Sequence, residues 1–363
     1  MNIGIPKESR PSEYRVGLSP SGIRRLTNRG HVCYIEHDAG KYAGFSDLDY
    51  ENAGAKIVYS AHEAFARGDF IIKVARPLEE ELTLIRPGSI LSGWLHLPAA
   101  SKSKIEFLLD NNITTVAYEQ IQRSDGSRPV LQVMSQIGGK MLPQIAAYLL
   151  QNNNGGKGIL LGGIAGIPPA EVVIIGAGVL GQSAVQSFSG LGAHLTVLDI
   201  SEEAIQKTVE KFPNIATMYA TKANIERTCA YADVVVTAAA IPGKIAPVLI
   251  TREILKTMKR RAIILDPSID QGGCLETSRP TNHENPTFIE EGVIHYCVPN
   301  ITSLIARTST NAFSNTAFKY FEEIVETGID NAIQNNPEIA KAINTHQGQI
   351  KYLDHLSENF NQV

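Results

Sequence analysis

The sequence predicts an α/β fold of two Rossmann-like, doubly wound domains, with one domain inserted into the other. Its 363 residues suffice for two domains at the usual size of about 100 to 200 residues each. Short apolar runs that are typical of strands alternate with helical segments, and this pattern indicates mostly parallel sheets. A helical pattern over residues 134–151 separates two such series, which indicates a connector between two sheets.

The first series begins as strand, helix and strand. Residues 2–6 and 31–37 are apolar runs. Between them, Ser19 followed by Pro20 is the signal for the start of a helix, and Gly30 is the signal for its end. The pattern continues with strands at residues 69–75 and 89–97 and a helix at residues 103–110.

The second series begins at the apolar run 172–175. Further strands are predicted at residues 233–239, 262–266 and 293–298. A helix at residues 309–327 carries its apolar residues on one face, so we expect it to pack on the first sheet. We therefore assign residues 1–130 and 307–363 to one domain and residues 131–306 to the inserted domain.

Composition excludes several classes of function. The net charge of -4 leaves no basic excess for binding nucleic acid, so small molecules are the expected partners. The uncharged stretch 172–198 contains glycines and polar residues, so we expect no membrane span. The N-terminus shows no secretory signal, and four scattered cysteines without a CxxC pair predict reduced thiols in the cytoplasm and no metal site.

A glycine-rich turn follows the apolar run 172–175. Gly176, Gly178 and Gly181 form a Gly-X-Gly-X-X-Gly pattern that opens a helix, and Asp199 ends the next strand. Gly176 permits a tight turn, Gly178 lets the backbone approach a pyrophosphate, and Gly181 lets the helix pack closely on the strand. A carboxylate at Asp199 suits ribose hydroxyls and repels a 2′-phosphate. The pattern predicts an NAD site, although a glycine-rich turn without a ligand is the alternative.

Further motifs extend along the whole chain, at residues 3–8, 13–16, 95–97, 118–119, 134–135, 269–274, 278–280, 296–298 and 308–310. In this order they resemble the alanine dehydrogenase and pyridine nucleotide transhydrogenase family. The resemblance implies a substrate domain, an inserted NAD-binding domain and an active site in the cleft between them. It also implies reversible oxidative deamination of L-alanine by NAD to pyruvate and ammonium, usually in a homo-hexamer.

The resemblance also implies roles for individual residues. Arg15 matches the arginine that holds the substrate carboxylate, and His96 matches the catalytic histidine. Asp270 matches the aspartate that contacts the amino group or water and the nicotinamide ribose. A solvated arginine, a structural histidine and a helix-capping aspartate are the alternatives for these three. Ser135 and Asn300 match positions near the nicotinamide and pyrophosphate, and each could instead bond a loop backbone.

One departure from the family concerns the substrate. The family typically has a second lysine near the end of the strand at residues 69–75, and this chain has Ala75 there. Lys73 points to the same face one pleat earlier and is the remaining candidate, whereas Arg76 needs a bulge to reach that face. Residues 300–303 also depart from the family pattern. A related dehydrogenase or imine reductase with a larger substrate, and a non-catalytic NAD-binding protein, therefore stay open as alternatives.

Overall fold

The computed structural model describes residues 1–239 and 245–353. These residues form two compact units. One consists of Met1–Met134 with the chain from Ser303 onward, and the other is Ser135–Thr302. In the described part of the chain, no helix has both the length and the apolar character needed to cross a bilayer.

The first unit contains a sheet of six parallel strands. They are β1 (Asn2–Ile5), β2 (Val32–Glu36), β3 (Lys56–Val58), β4 (Phe70–Ala75), β5 (Ile90–Trp94) and β6 (Thr114–Ala117). Their order across the sheet is β3-β2-β1-β4-β5-β6. This is the doubly wound order, in which the direction of winding reverses between β1 and β4. Ligands of such sheets bind beyond the carboxyl ends of the strands near that reversal.

Helices connect the strands of the first sheet. They are α1 (Pro20–Thr27), α2 (Asp47–Glu51), α3 (Ala61–Arg67), α4 (Glu79–Leu82) and α5 (Lys102–Asp110). The helix α6 (Pro129–Leu149) follows β6 and continues into the residues of the second unit. Ser19 caps α1 as predicted, because its side chain accepts a hydrogen bond from the Gly22 N–H. The helix α5 begins one residue earlier than predicted, because Ser101 acts as its N-cap.

The second unit contains a sheet of seven strands. They are β7 (Glu171–Ile175), β8 (His194–Asp199), β9 (Ala216–Tyr219), β10 (Val234–Thr237), β11 (Ile263–Leu265), β12 (Thr287–Glu290) and β13 (Val293–Tyr296). Their order is β12-β13-β11-β10-β7-β8-β9, with β12 antiparallel to β13 and the other pairs parallel. The winding therefore reverses between β7 and β10. The connecting helices are α7 (Val179–Gly190), α8 (Glu202–Lys211), α9 (Lys222–Tyr231) and α10 (Arg252–Thr257).

The C-terminal elements return to the first unit. They are α11 (Ala306–Thr327), α12 (Ile329–Asn335), α13 (Pro337–Ala340), β14 (Thr345–His346) and β15 (Gln349–Ile350). On α11, Phe321 packs against Phe70 of β4 at 5.8 Å between ring centroids. Thr310 and Ser314 of the same helix accept hydrogen bonds from the N–H groups of Val16 and Ser19. The predicted α/β fold with two Rossmann-like domains is confirmed.

Candidate functional site

The carboxyl edge of the first sheet carries several polar side chains. Arg15 lies in the loop after β1, and Arg76 follows β4. His96 follows β5, and Glu119 follows β6. All four strands are parallel, so these residues lie at one edge of one sheet, where doubly wound folds bind ligands.

His96 is held in an unusual backbone conformation. Its φ of 45° lies in the left-handed region, which costs free energy for a residue with a Cβ. The His96 N–H donates a 2.7 Å hydrogen bond to Oε1 of Glu119, and Nδ1 of the imidazole lies 3.9 Å from the same oxygen. The imidazole is 53% exposed, so it is accessible to a small molecule. The carboxylate thus fixes the backbone that presents the ring.

Arg15 is buried and tightly oriented. Its Nε donates to Oε1 of Glu13 at 2.7 Å, and its Nη2 donates to Oε2 of Glu13 at 2.6 Å. Nη1 contacts the sulfur of Met134 at 3.6 Å. This bidentate pairing fixes the plane of the guanidinium, and the Glu13 carboxylate compensates the positive charge of Arg15. Arg15 therefore presents a preorganised donor group rather than a solvated surface charge.

Lys73 is not placed to bind substrate, and our expectation for it is corrected. Its side chain is 1% exposed, and Nζ lies 3.2 Å from Oε2 of Glu8 and 2.9 Å from Oε1 of Glu81. Burial raises the pKa of Glu8, and Lys73 opposes that shift. Burial alone would lower the pKa of Lys73, but Glu8 and Glu81 outweigh it and raise that pKa. Lys73, Glu8 and Glu81 thus form a buried ion triad that joins the first loop to α4.

The strand β4 contains an irregularity of the kind that Arg76 needs in order to reach the face of Lys73. Ile72 pairs with Ser92 of β5, and the next pair is Ala75 with Trp94, so β4 advances by three residues where β5 advances by two. One extra residue on a strand reverses the alternation of faces beyond it. The oxygens of Glu8 accept hydrogen bonds from the N–H groups of Val74 and Ala75 at 2.6 and 3.3 Å, which supports this irregular segment. Beyond this extra residue, Arg76 can point to the same face of the sheet as Lys73.

In the second unit, the glycine-rich turn has the geometry of a phosphate cradle. Gly176 has a φ of 107°, and a Cβ there would lie 2.4 Å from the Ala238 carbonyl oxygen after β10. A Cβ on Gly181 would lie 1.9 Å from the Gly176 oxygen, whereas a Cβ on Gly178 would meet no atom within 4 Å. Gly176 and Gly181 are thus required by packing. Packing does not require a glycine at position 178, so the missing side chain matters only for a ligand that approaches the backbone there.

Asp199 closes the turn from the end of β8. Its Oδ2 accepts a 2.5 Å hydrogen bond from the Ala177 N–H, and its Oδ1 accepts a 2.7 Å bond from the Ser201 N–H. The carboxylate therefore lies beside the N-terminus of α7, between the glycine turn and the loop that follows β8. A carboxylate at this position suits the ribose hydroxyls of an adenosine.

Asp270 lies in a short 3-10 turn, Ile269–Gln271, beyond the carboxyl end of β11, and it is exposed. Its loop is fixed by Asp266, which is 1% exposed. The Asp266 carboxylate accepts hydrogen bonds from the Thr237 and Ser278 hydroxyls at 2.8 and 2.6 Å and from the Cys274 N–H at 3.0 Å. A fully bonded buried carboxylate of this kind rigidifies the loop that carries Asp270.

Two further predicted residues lie in the second unit. Ser135 is half-buried on α6. Asn300 has a φ of 54°, which asparagine tolerates better than most residues, and its Oδ1 accepts a bond from the Thr302 hydroxyl at 3.5 Å. Cys274 and Cys297 are fully buried, and burial raises the pKa of the Cys297 thiol to about 12. Both cysteines pack in the interior of the second unit.

Sequence reasoning gave no individual role to Glu119, Asp266 or Glu8. Glu8 and Glu119 were noted only as parts of motifs and Asp266 only as the end of a predicted strand, because each acts by accepting hydrogen bonds from residues elsewhere in the chain. The available signal was their position: each follows or ends a strand at the carboxyl edge, where doubly wound sheets bind ligands.

Two family models match the chain. The model "Alanine dehydrogenase/PNT, N-terminal domain" matches residues 4–138, and the model "Alanine dehydrogenase/PNT, C-terminal domain" matches residues 143–353. Together they account for nearly all of the described residues.

Relatives and solved structures agree with the models. The chain is 39% identical over 351 residues to an alanine dehydrogenase of Mycobacterium tuberculosis, covering 96% of this chain and 94% of that protein. A solved structure titled L-alanine dehydrogenase matches with a TM-score of 0.96 at 37% identity, covering 100% of both chains. A transhydrogenase structure from Sinorhizobium meliloti matches with a TM-score of 0.84 at 26% identity, covering 97% of this chain and 99% of that one.

Proposed function

The chain belongs to the alanine dehydrogenase/PNT family, and from that premise we propose that it catalyses the reversible, NAD-dependent oxidative deamination of L-alanine to pyruvate and ammonium. The observation that carries this proposal is the 39% identity to an alanine dehydrogenase over 96% of the chain. The comparisons do not favour the alternative of a transhydrogenase component, because that structural match is weaker.

The residues of the second unit fit NAD. The open backbone at Gly178 leaves room for a pyrophosphate, and the first turn of α7 offers N–H groups that have no acceptor within the helix. Asp199 offers a carboxylate for ribose hydroxyls. When bound, NAD supplies the acceptor for the hydride that leaves the substrate carbon. Ser135 and Asn300 are proposed to line the same site, on the basis of the family resemblance alone.

The first unit supplies substrate binding and proton transfer. Arg15 is proposed to bind the carboxylate of alanine or pyruvate, because Glu13 already fixes its guanidinium plane. His96 is proposed to take the proton released by the amine or the attacking water, and to return it in the reverse direction. Glu119 holds the backbone of His96 and so positions the imidazole. Asp270 is proposed to contact the amino group or water.

The test is an assay of the purified protein with NADH, pyruvate and ammonium, run beside a panel of other 2-oxo acids and amines. Fastest turnover with pyruvate and ammonium supports the proposal. Turnover with a larger amine but none with ammonium would contradict it and favour an imine reductase.

We also propose a homo-oligomer, a hexamer by family resemblance, in the cytoplasm. A single monomeric species in analytical ultracentrifugation would contradict the oligomer.

The cofactor preference follows from Asp199. Its negative charge repels a 2′-phosphate, so we expect NADH to bind at least tenfold more tightly than NADPH, or by about 1.4 kcal/mol. Titration of the protein with each nucleotide measures this difference. Asp199→Ala is expected to reduce the preference, and equal affinities for the two nucleotides in the unaltered protein would refute the role of Asp199.

Two glycine substitutions separate cofactor binding from folding. Gly178→Ala adds a Cβ that meets no protein atom within 4 Å, so we expect an unchanged unfolding temperature and at least tenfold weaker NADH binding. Gly181→Ala places a Cβ 1.9 Å from a backbone oxygen, so we expect a lower unfolding temperature as well. Thermal unfolding and NADH titration of both variants check this. Unchanged NADH affinity in Gly178→Ala would contradict the proposed pyrophosphate position.

A further inference from the structure

A cluster of three cationic residues at the carboxyl edge of the first sheet is not used by the mechanism above. It consists of Arg10, Arg76 and Lys104, and we call it the cationic cluster. Nε of Arg10 donates to the carbonyl oxygen of Arg76 at 2.8 Å, and Nζ of Lys104 donates to the carbonyl oxygen of Pro77 at 2.7 Å. Bonds to two consecutive carbonyls bring the side chains from the first loop and from α5 to one short segment after β4.

The cationic cluster has no counterion in the part of the chain that the structure describes. Among residues 1–239 and 245–353, no carboxylate oxygen lies within 4.0 Å of a side-chain nitrogen of these three residues. Glu81, which attracts the cluster from farther away, is already paired with Lys73, and Glu79 is exposed. All three cations are half-buried. Like charges that are partly withdrawn from water repel each other, and an anion among them removes that cost.

The electrostatics of Lys104 agree with this crowding. The pKa of the Lys104 ammonium is lowered to about 8, first by burial and then by the charges of Arg10 and Arg76, while Glu81 and Glu79 oppose these effects. Burial and the charge of Arg76 also lower the pKa of Arg10.

We infer that Arg10, Arg76 and Lys104 form an anion site that binds a carboxylate group of the substrate. The inference rests on the proposed function for the class of substrate, a 2-oxo acid or amino acid, and extends it to dicarboxylic members of that class. A carboxylate suits the site because a guanidinium binds it through two parallel hydrogen bonds. Arg76 follows β4 at the carboxyl edge of the first sheet, where doubly wound folds bind ligands and where His96 follows β5. Because Arg15 is proposed to bind the carboxylate of the 2-oxo acid, the group bound here is a second acidic group, as in a dicarboxylic substrate.

The first experiment measures binding without catalysis. Isothermal titration calorimetry with malonate measures this binding directly. We expect saturable malonate binding by the unaltered protein, and at least tenfold weaker binding in Arg76→Gln and in Lys104→Gln. Lys102→Gln, on the exposed side of α5, is the matched control and should bind as the unaltered protein does. Equal affinity in all four proteins, or equally tight binding of inorganic phosphate, would overturn the inference.

The affinity should also depend on pH. Lys104 binds an anion only when it is protonated, so malonate affinity is expected to be full well below pH 8 and to fall as the pH rises through about 8. The arginines keep their charge over this range. In Lys104→Gln the fall should disappear. A fall of the same size in this variant would assign the titration to another group and overturn the role of Lys104.

The second experiment identifies the source of the carboxylate. The KM values for pyruvate and for oxaloacetate are measured at saturating NADH and ammonium. We expect Arg76→Gln to raise the KM for oxaloacetate and to leave the KM for pyruvate unchanged. An equal rise of both KM values, or no rise in either, contradicts the inference. If the unaltered protein shows no dehydrogenase activity, the proposed function fails, while the malonate titration still tests the anion site.

Discussion

Replacing His96 with alanine is expected to lower turnover with pyruvate, ammonium and NADH by about 10²-fold or more. The physical reason is that the substrate amine or the attacking water must lose a proton, and an imidazole is the side chain whose unperturbed pKa lies nearest to neutrality. His96 follows β5 at the carboxyl edge of the first sheet, where its side chain is 53% exposed and lies beside Glu119. NADH affinity should stay near that of the unaltered protein, because the glycine-rich turn lies in the other unit.

His62→Ala is the matched control. His62 is also exposed in the first unit, but it lies on α3 rather than at the carboxyl edge, so its removal should leave turnover unchanged. A Glu119→Gln variant tests the positioning role separately. This variant keeps an acceptor for the His96 N–H, so we expect a smaller loss of turnover than in His96→Ala, together with a shifted pH profile of turnover. Full activity in His96→Ala would disprove the proposed proton transfer.

The fold was predictable because its signals are local. The strand β7 is a continuous apolar run, Ser19 and Pro20 mark the start of α1, and Gly328 follows the end of α11. Periodicity and capping signals of this kind act within a few residues, so a single sequence reveals them. The start of α6 was less predictable. That helix begins at Pro129, five residues before the apolar pattern that indicated it.

The candidate site was less predictable, because its contacts join distant parts of the chain. Lys73 was expected to face substrate from strand alternation alone. Its actual partners, Glu8 and Glu81, come from the first loop and from α4, and nothing in the local sequence links them. The extra residue in β4 is likewise visible only in its pairing with β5. The glycine turn was an exception, since its spacing alone dictates its geometry.

The buried triad of Lys73, Glu8 and Glu81 should dominate the stability of the first unit. The three side chains are 1 to 6% exposed, so they interact with little solvent screening. Removing one member of a buried ion pair leaves an uncompensated charge and typically costs about 3 to 5 kcal/mol. Lys73→Met removes the cation that two carboxylates share, so we expect a loss of unfolding free energy of that order near pH 7.

The sign of the pH dependence identifies the cause of this loss. Burial already raises the pKa of Glu8 above its ordinary value, and without Lys73 the opposing attraction disappears, so the pKa rises further. A carboxyl group whose pKa is raised by folding stabilises the protein below its unfolded pKa and loses that contribution as the pH rises through the folded pKa. The deficit of Lys73→Met should therefore shrink as the pH falls from 7 toward the usual glutamate pKa of about 4.3.

Urea denaturation of Lys73→Met across this pH range measures the deficit against the unaltered protein. Lys207→Met, which removes an exposed lysine paired with Glu203, is the control and should change stability little at any pH. Glu8→Gln combined with Lys73→Met should recover part of the stability near pH 7, because it removes one of the two stranded charges. A deficit that is the same at every pH, with no recovery in the double variant, would mean that lost packing around the lysine stem outweighs the electrostatics. In that case the triad would not be what holds the first loop to α4.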